Sequence, residues 1–383
     1  MNRKYHIRLA DQNDLLELVK LEETAFTSDR FTSDQIEYLL THSRATTFIL
    51  EDQGIMIGSA CVLWRKSHQA ARLYNLAIDP SCQGKGLGLI LLNACEIEAS
   101  RRGCEKITLE VREDNSNGIR FYEKHGFAAI RVMQDYYHDG SPGIKMSKVL
   151  KIRVPQKLKY NIPYCAQTLD FTCGPACLMM TMKHFQPTLE LTRALEMTLW
   201  KEATVIFMTS GFGGTDGYGL ALSALNRGLK CQMVMSMDST PMLKSVRIPQ
   251  KRAVMKIVHN DMKRKARKAG LSSAIFEYGI EEIVSALHRG MVPIVMISTY
   301  RLTGDRVPHW VIVTGFDNDH LYIHDPDADS YKKNKSRARH LRIEKNEFLK
   351  MTRYGKEVYR CLLLIAPSRK TPKNNWPSPP AKK

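Results

Sequence analysis

Long apolar runs are missing from this sequence. No stretch reaches the roughly 18 residues that a membrane-spanning helix needs, and "MVPIVMIS" (291–298) is a buried-strand run too short to span. The opening "MNRKYHIRLADQ" has no apolar core of a secretory signal. Cysteine spacing of a paired kind is missing too: with no secretion signal, the nine cysteines, odd in number and scattered, read as reduced thiols rather than as a disulfide framework. These absences set the expectation of a cytoplasmic protein with reduced thiols. No internal repeat is found either. Because 383 residues exceed what one core usually serves, two unrelated domains are expected.

Charge is present but unevenly placed. Residues 1–150 hold 19 basic and 20 acidic residues, and the remainder holds 38 and 19, so the whole excess of +18 sits in the second part. It concentrates in "KSVRIPQKRAVMK", "MKRKARKAG" and "SYKKNKSRARHLR". One reading is a nucleic-acid or acidic partner. The other is a solvated basic face, since no aromatic-interleaved RNA-binding signature accompanies the charge.

Helix and strand signals alternate through the first 150 residues. "DQNDLLELVKLEETAF" has helical spacing at Leu15, Leu18 and Val19, with Asp11 as N-cap. "TTFILE", "DQG" and "IMIGSACVLW" read as a hairpin, and "RLYNLAID" as a strand stopped at Asp79-Pro80. "LGLILLNACEIEASRRG" reads as a helix, "KITLEVR" as a strand, "SNGIRFYEKHGF" as a helix, and "FAAIRVM" and "GIKMSKVL" as strands. Residues 151–160, basic and without a clean period, read as a linker. A second domain is expected over 161–367, with a disordered Pro- and Lys-rich tail over 368–383.

Between one strand and the next helix lies "NLAIDPSCQGKGLG". Glycines there let the backbone turn tightly and aim several N–H groups at one spot, next to the positive end of the helix dipole. That is a pyrophosphate cradle, with Lys85 as a mobile cation. The dinucleotide fingerprint and the nucleotide-triphosphate loop both fail to fit. A tight structural turn is the alternative. Further on stand Glu110 in "LEVR", Asn115, and Tyr122 in "RFYEKHGF".

This ordered set, "NLAIDP", "QGKGLG", "LEVREDN" and "FYEKHGF", resembles the GNAT acyl-CoA N-acetyltransferases over nearly all of residues 5–150, most of all those acting on protein N-termini. The resemblance implies a mixed central sheet flanked by helices and acetyl-CoA as co-substrate. It implies that Gln83, Gly84, Lys85, Gly86, Leu87, Gly88 and Leu89 hold the pyrophosphate. Leu76, Ala77 and Ile78 would lie along the pantetheine and acetyl group, and Asn115 would contact the cofactor. Glu110 would take a proton from the amine, directly or through water, and Tyr122 would protonate the departing thiolate. The alternatives are a surface strand carboxylate at Glu110 and a core aromatic at Tyr122.

The second part opens on "QTLDFTCGPAC". Proline at the third position after the threonine places Cys173 at a helix N-terminus, where the dipole favours a thiolate. Cys177, a turn deeper, reads as a small buried hydrophobe. Gln167 is placed to bring an amide towards an oxyanion. In "HWVIVTGFDNDHLYIHDP", a hairpin centred on Asp317 would set Val313 opposite Leu321, Val311 opposite Ile323 and His309 opposite Asp325. An imidazole beside a carboxylate supplies the logic of a Cys-His-Asp triad. His324 would face the other way. A metal set of Cys165, Cys173, Cys177 and His184 matches no paired zinc spacing, so no metal is expected. "TSGFGGTDGYGL" reads as a turn into a helix.

Gln167, Cys173-Gly174-Pro175-Ala176, "HWVIVTG" and Asp325-Pro326 resemble the papain-like α+β cysteine peptidases that remove double-glycine leaders from bacteriocin precursors. The resemblance implies Cys173 as nucleophile, His309 as base, Asp325 as its orienter and Gln167 as oxyanion donor. The sequence departs from that pattern at Thr172, where the family commonly has an acid, and in the long basic segment 200–290. The whole chain is similar to bacterial fusions of a GNAT domain with such a domain. Its expected function is bifunctional: acetyl transfer to a peptide or protein amine, and cleavage or acyl transfer at a cysteine. The alternative keeps acetyl transfer and makes the basic part a binding module.

Overall fold

The computed structural model describes residues 5–42, 44–64, 70–151, 155–205, 213–241, 243, 246–331 and 334–367. The expected tail, residues 152–154 of the expected linker, the first residues of the expected turn "TSGFGGTDGYGL" and parts of two basic runs lie outside the described residues.

The first 150 residues build β1 (His6–Leu9), α1 (Leu15–Ala25), α2 (Ser33–Thr41), β2 (Ala45–Asp52), β3 (Ile55–Trp64), β4 (Ala70–Ile78), α3 (Leu87–Arg101), β5 (Lys106–Arg112), α4 (Ser116–Lys124), β6 (Ala128–Met133) and β7 (Gly143–Val149). The sheet order is β1-β2-β3-β4-β5-β7-β6. Asp11 does cap, but its side chain starts a short 3-10 turn, Gln12–Asp14, that runs into α1. The β4–β5 pair is parallel, and every other pair in this sheet is antiparallel. Parallel neighbours need a crossover, and α3 provides it. Leu87, Leu91, Leu92 and Cys95 of α3 pack into one core with Phe48, Val62, Leu73, Ile107 and Leu109 from the sheet.

After this come β8 (Leu158–Lys159), α5 (Cys173–Phe185), α6 (Arg193–Ala203), α7 (Gly217–Asn226), β9 (Lys230–Met235), α8 (Pro249–Lys268), β10 (Ser272–Ile275), α9 (Ile280–His288), β11 (Val292–Ser298), α10 (Tyr300–Thr303), β12 (Pro308–Phe316), β13 (His320–His324), β14 (Leu341–Glu344), α11 (Lys345–Met351) and β15 (Cys361–Ala366). The second sheet runs β10-β9-β15-β11-β12-β13-β14, with β8 against β12. "MVPIVMIS" forms β11, in the middle of that sheet. Ile294 and Met296 join a core with α5 and α7, whereas Val295 and Ile297 join another with α9 and α11. Both faces of the strand are covered, which is why its sequence is continuously apolar. Two basic runs meet in α8, whose buried face carries Met255, His259, Met262 and Ala266. Part of the expected linker is built into the sheet: Leu158 and Lys159 pair with Phe316 and Gly315.

A buried ion network joins α3 to α9. Glu98, 1% exposed, accepts from Arg102 Nε at 3.0 Å and from the Ser285 hydroxyl at 2.5 Å. Arg102 reaches on to Glu282 at 2.8 Å and lies over the Trp64 ring. Arg44 donates to Glu281 at 2.5 Å. Removing one partner of a buried pair leaves the other charged and unsolvated, which costs roughly 3–5 kcal/mol. Arg102→Ala is therefore expected to destabilise the full chain by about 3 kcal/mol in denaturant unfolding. A loss within about 0.5 kcal/mol, the scale of a surface substitution, would mean that the network is not holding the two sheets together.

Candidate active sites

The first site forms where a ladder stops. β4 and β5 pair only from Ala70–Arg72 to Lys106–Thr108, so the later part of β4, with Leu76, Ala77 and Ile78, is bonded on its β3 side alone. A bulge at Tyr74, between the pairs Cys61–Asn75 and Val62–Leu73, bends β4 at this point. The glycine turn follows. Gly84 and Gly86 have φ of 77° and 74°, a region that side-chain-bearing residues rarely adopt, and nothing lies within 4 Å of where their Cβ atoms would be. Gly86 is the N-cap of α3 and no side chain caps that helix, so its first-turn N–H groups face the turn. Gln83 donates to the Ile78 carbonyl at 3.2 Å and Lys85 to the Ser81 carbonyl at 3.1 Å. Leu87 is buried, and Leu89 closes the turn through its N–H to Gly86. Leu76 and Phe121 converge on Gly88, which brings strand, turn and α4 to one place.

Asn115 caps α4 through its side-chain oxygen, accepting from Gly118 N–H at 2.8 Å, and its NH₂ group is left over. Tyr122 packs edge-on against Phe121 and Phe127, and burial holds its phenol well above the usual range. Glu110 is no bare surface carboxylate. Arg72 donates to one of its oxygens at 2.6 Å and Lys145 stands 3.2 Å from the other. Sequence reading did not find these two cations, which lie 38 and 35 residues away. It also missed Glu22, which accepts from Phe31 N–H and from Asn75, the residue before Leu76. Burial pushes the Glu22 carboxyl up.

The second site lies where α5 meets β12. Cys173 is the first residue of α5 and is 5% exposed. A Cβ on Gly174 would fall 2.2 Å from the Thr215 hydroxyl oxygen, so the glycine after the cysteine lets α5 approach the loop before α7. His309 Nε2 lies 2.7 Å from Asp325 Oδ1, and the imidazole interacts electrostatically with Cys173. Burial opposes a charge on His309, but the negative charges of Cys173 and Asp325 outweigh it and raise its pKa to about 10. Burial likewise works against the Asp325 carboxylate, and the His309 hydrogen bond brings it below its ordinary value.

The expected hairpin register needs correction. Val313 pairs with Ile323 rather than Leu321, and Phe316 with Leu321. The turn is centred between Asn318 and Asp319 instead of on Asp317, and the irregularity between Val313 and Gly315 takes back one residue of that three-residue shift. Thr314 sits at this irregularity, where Tyr160 N–H binds its carbonyl and its hydroxyl reaches Tyr322. The pairing moves by two residues. Side chains alternate with period two, so His309 and Asp325 stay on one face and meet diagonally instead of directly.

Gln167 is pinned beside the site, its N–H donating to the Pro326 carbonyl at 2.9 Å. Its side-chain oxygen is buried and has no partner among the described residues. Thr172, where an acid is common in the resembled peptidases, gives its hydroxyl to the Glu196 carboxylate of α6 at 2.5 Å. Glu196 also binds Thr168 and so fixes the loop between Gln167 and Cys173. Cys177 is fully buried, bonds the Trp310 carbonyl, and is pushed up by burial. His324 is held at both ring nitrogens, by the Ile162 carbonyl and the His340 N–H, and burial lowers it to about 4. Among the described residues, Cys165, Cys173, Cys177 and His184 do not converge as a metal cluster. All nine cysteines are free.

Residues 162–366 match the model of the Peptidase_C39 like family, and residues 13–127 match that of the Acetyltransferase (GNAT) family. The chain belongs to both families. A ribosomal protein bS18 alanine N-acetyltransferase of Escherichia coli (strain K12) is 40% identical over 67 residues, 18% of this chain and 45% of the relative. The chain thus spans about half the length of that relative. An acetyltransferase of Yersinia pestis (strain Pestoides F) is 30% identical over 120 residues, 31% of this chain and 84% of the relative. Among solved structures, the ribosomal-protein-S18-alanine N-acetyltransferase from Escherichia coli is 27% identical, covering 39% of this chain and 97% of its own, with a TM-score of 0.36.

An imidazolium beside a thiol favours the nucleophilic thiolate. At pH 6 iodoacetamide is expected to label Cys173 first among the nine thiols, ahead of the more exposed Cys82 and Cys165. His309→Ala should slow that labelling by about tenfold or more. Peptide mapping that finds Cys82 or Cys165 labelled first, or labelling indifferent to His309, would remove the pair.

Proposed function

We propose that the chain is a bifunctional peptide-modifying enzyme that transfers acetyl from acetyl-CoA to a peptide or protein amine and cleaves, or transfers, an acyl group through Cys173. The observation that carries this reading is the buried His309 imidazole, bonded to Asp325 and interacting electrostatically with Cys173 at the start of α5. No described helix is long and apolar enough to cross a membrane, and we place the protein in the cytoplasm.

The residues around the glycine turn fit acetyl-CoA. Open space over Gly84 and Gly86, an uncapped helix start and the neighbouring Lys85 ammonium suit a pyrophosphate between Gln83 and Leu89. The unpaired edge of Leu76, Ala77 and Ile78 suits the extended, amide-bearing arm, and the Asn115 NH₂ is free to donate to it. When bound, the co-substrate supplies the activated acetyl group. Glu110 has both oxygens engaged by cations, so it takes the amine proton through water. Tyr122 keeps its proton at neutral pH and gives it to the departing sulfur. The relatives named as ribosomal protein bS18 alanine N-acetyltransferases favour a protein amine as acceptor, and we take it to be N-terminal.

In the second site the Cys173 sulfur forms a bond to the acyl carbon while His309 passes its proton to the leaving amine and the carbon–nitrogen bond breaks. Water, or another amine, then releases the acyl group as His309 takes the proton back. Asp325 orients the imidazole, and Gln167 with the α5 N-terminus faces the oxyanion. Cleavage frees an α-amine, which the first site can acetylate.

Mass spectrometry of peptides incubated with the full chain and acetyl-CoA tests both activities, reading added acetyl groups and cleavage together. Tyr122→Phe should cut acetyl-transfer turnover by roughly 10²- to 10⁴-fold while acetyl-CoA affinity stays near wild type. Unchanged turnover with chemistry limiting would make Tyr122 structural.

A second reading makes the basic part a binding module for nucleic acid or an acidic partner. It is favoured by the outer face of α8, where Arg252, Lys256, Arg264, Lys265, Arg267 and Lys268 are exposed. Binding of this kind must weaken steeply with salt. Titration of single-stranded RNA at two salt concentrations should then show affinity falling sharply, and salt-independent binding, or none, would exclude RNA.

A further inference from the structure

We infer that Tyr331 is a positioning residue of the cysteine site, fixing the rotation of the Asp325 carboxylate and through it the imidazole that faces Cys173. The inference rests on the triad reading above and adds to it a residue outside the sequence blocks that suggested the triad.

The two oxygens of Asp325 are held from different sides. Oδ1 accepts from His309 Nε2 at 2.7 Å and from the Asp327 N–H at 2.9 Å. Oδ2 accepts from the Tyr331 hydroxyl at 2.8 Å, and no other donor to it is found among the described residues. The torsion that turns a carboxylate about its Cβ–Cγ bond is broad and does not settle into sharp wells. A carboxylate tied at one oxygen can swing, whereas one tied at both is fixed in plane. Asp325 is 3% exposed, which leaves little room for water to replace the phenol.

The backbone around Asp325 is fixed by the same excursion of the chain. Between β13 and β14 it leaves Asp325, makes the turn Ala328–Tyr331, and returns at Ala338, whose carbonyl accepts the Asp325 N–H at 2.9 Å. Tyr164 donates to the Asp325 carbonyl at 2.9 Å, and Arg339 stacks over the Tyr164 ring. Among the described residues, the charged and titratable groups around this point include His309, Cys173 and Cys177 on one side and Asp327, Tyr164 and Arg339 on the other. Burial first, and then the Asp325 charge, push the Tyr331 phenol far up, so it keeps its proton and can only donate.

Tyr331→Phe keeps the ring and deletes that one donor. A buried carboxylate with fewer donors protonates more readily, and it then supports the imidazolium less. The acid limb of Cys173 labelling by iodoacetamide should move up by about one pH unit, the tenfold factor of one charged hydrogen bond. Added to Asp325→Asn, the same substitution should change nothing further, because its target is already gone. An unshifted limb in Tyr331→Phe, with His309→Ala still slowing the reaction, would overturn the role of Tyr331 and leave the triad standing. Labelling that ignores His309 would sink the triad and this inference together. A further loss on top of Asp325→Asn would show that Tyr331 acts elsewhere and also overturn it. Should Tyr331→Phe lower the thermal midpoint, the comparison within the Asp325→Asn background decides between the two.

Discussion

An ionised carboxylate taken out of water needs a cation or a full set of donors, and the burial of such groups costs several kcal/mol when they are left without one. This chain buries many: Glu98, Glu110, Glu196, Asp216, Glu282 and Asp325. Where each finds its partners shapes the structure. Glu98 and Glu282 meet Arg102 and tie the first sheet to the second. Asp216 caps α7 and meets His259, which fastens α8 over α7. Glu196 gathers Thr168 and Thr172 and sets the loop before Cys173. Asp325 takes His309, Asp327 and Tyr331 and sets the imidazole.

The same requirement corrects the picture of two modules on a string. Composition divides the chain into a nearly neutral part and a basic part, which looks like two independent units. Yet Arg102 of α3 has its partners on both sides of that division, and Leu158 and Lys159 of the expected linker are strand residues. The proposed acetyl site therefore rests on a sheet whose crossover helix is anchored in the second half. Cutting the chain near residue 152 would leave Glu98 without Ser285 and Arg289.

Much of the fold was legible because local rules and tertiary demands agree. "KITLEVR" is β5 to the residue, and the hairpin of β2 and β3, the helix after the glycine turn and the start of α5 at Cys173 all lie where period and capping place them. The register of the second hairpin was not legible, since its turn falls later than Asp317 and the irregularity at Thr314, beside β8 some 155 residues earlier in the chain, takes one residue back. The shift was even-numbered, and so the pairing of His309 with Asp325 outlived the wrong register. Partners far apart in sequence were likewise hidden. Arg72 and Lys145 reach Glu110 from the strands on either side of β5, and nothing in "LEVR" announces them. Tyr331 and Glu196 carry no motif at all, and only the folded chain brings them to the cysteine site.

Both proposed sites lie where a strand stops spending its backbone groups on its neighbour. β4 leaves β5 after Arg72, and the residues that follow keep an open edge for an extended ligand arm. β13 ends at His324, so Asp325 is the first residue past the ladder, free to turn its carboxylate to His309 near the start of β12. A residue inside a ladder has its backbone committed and its side chain fixed to one face. A residue one step beyond keeps the rigidity of the strand and gains freedom of direction. Such freedom would blur a catalytic group unless something else removed it. At Asp325 the returning loop does so, with Ala338 on the N–H, Tyr164 on the carbonyl and Tyr331 on the carboxylate. At Glu110 the clamp of Arg72 and Lys145 plays the same part on a residue still within its strand. Polar side chains, more than the sheets themselves, set the final direction of the reacting groups.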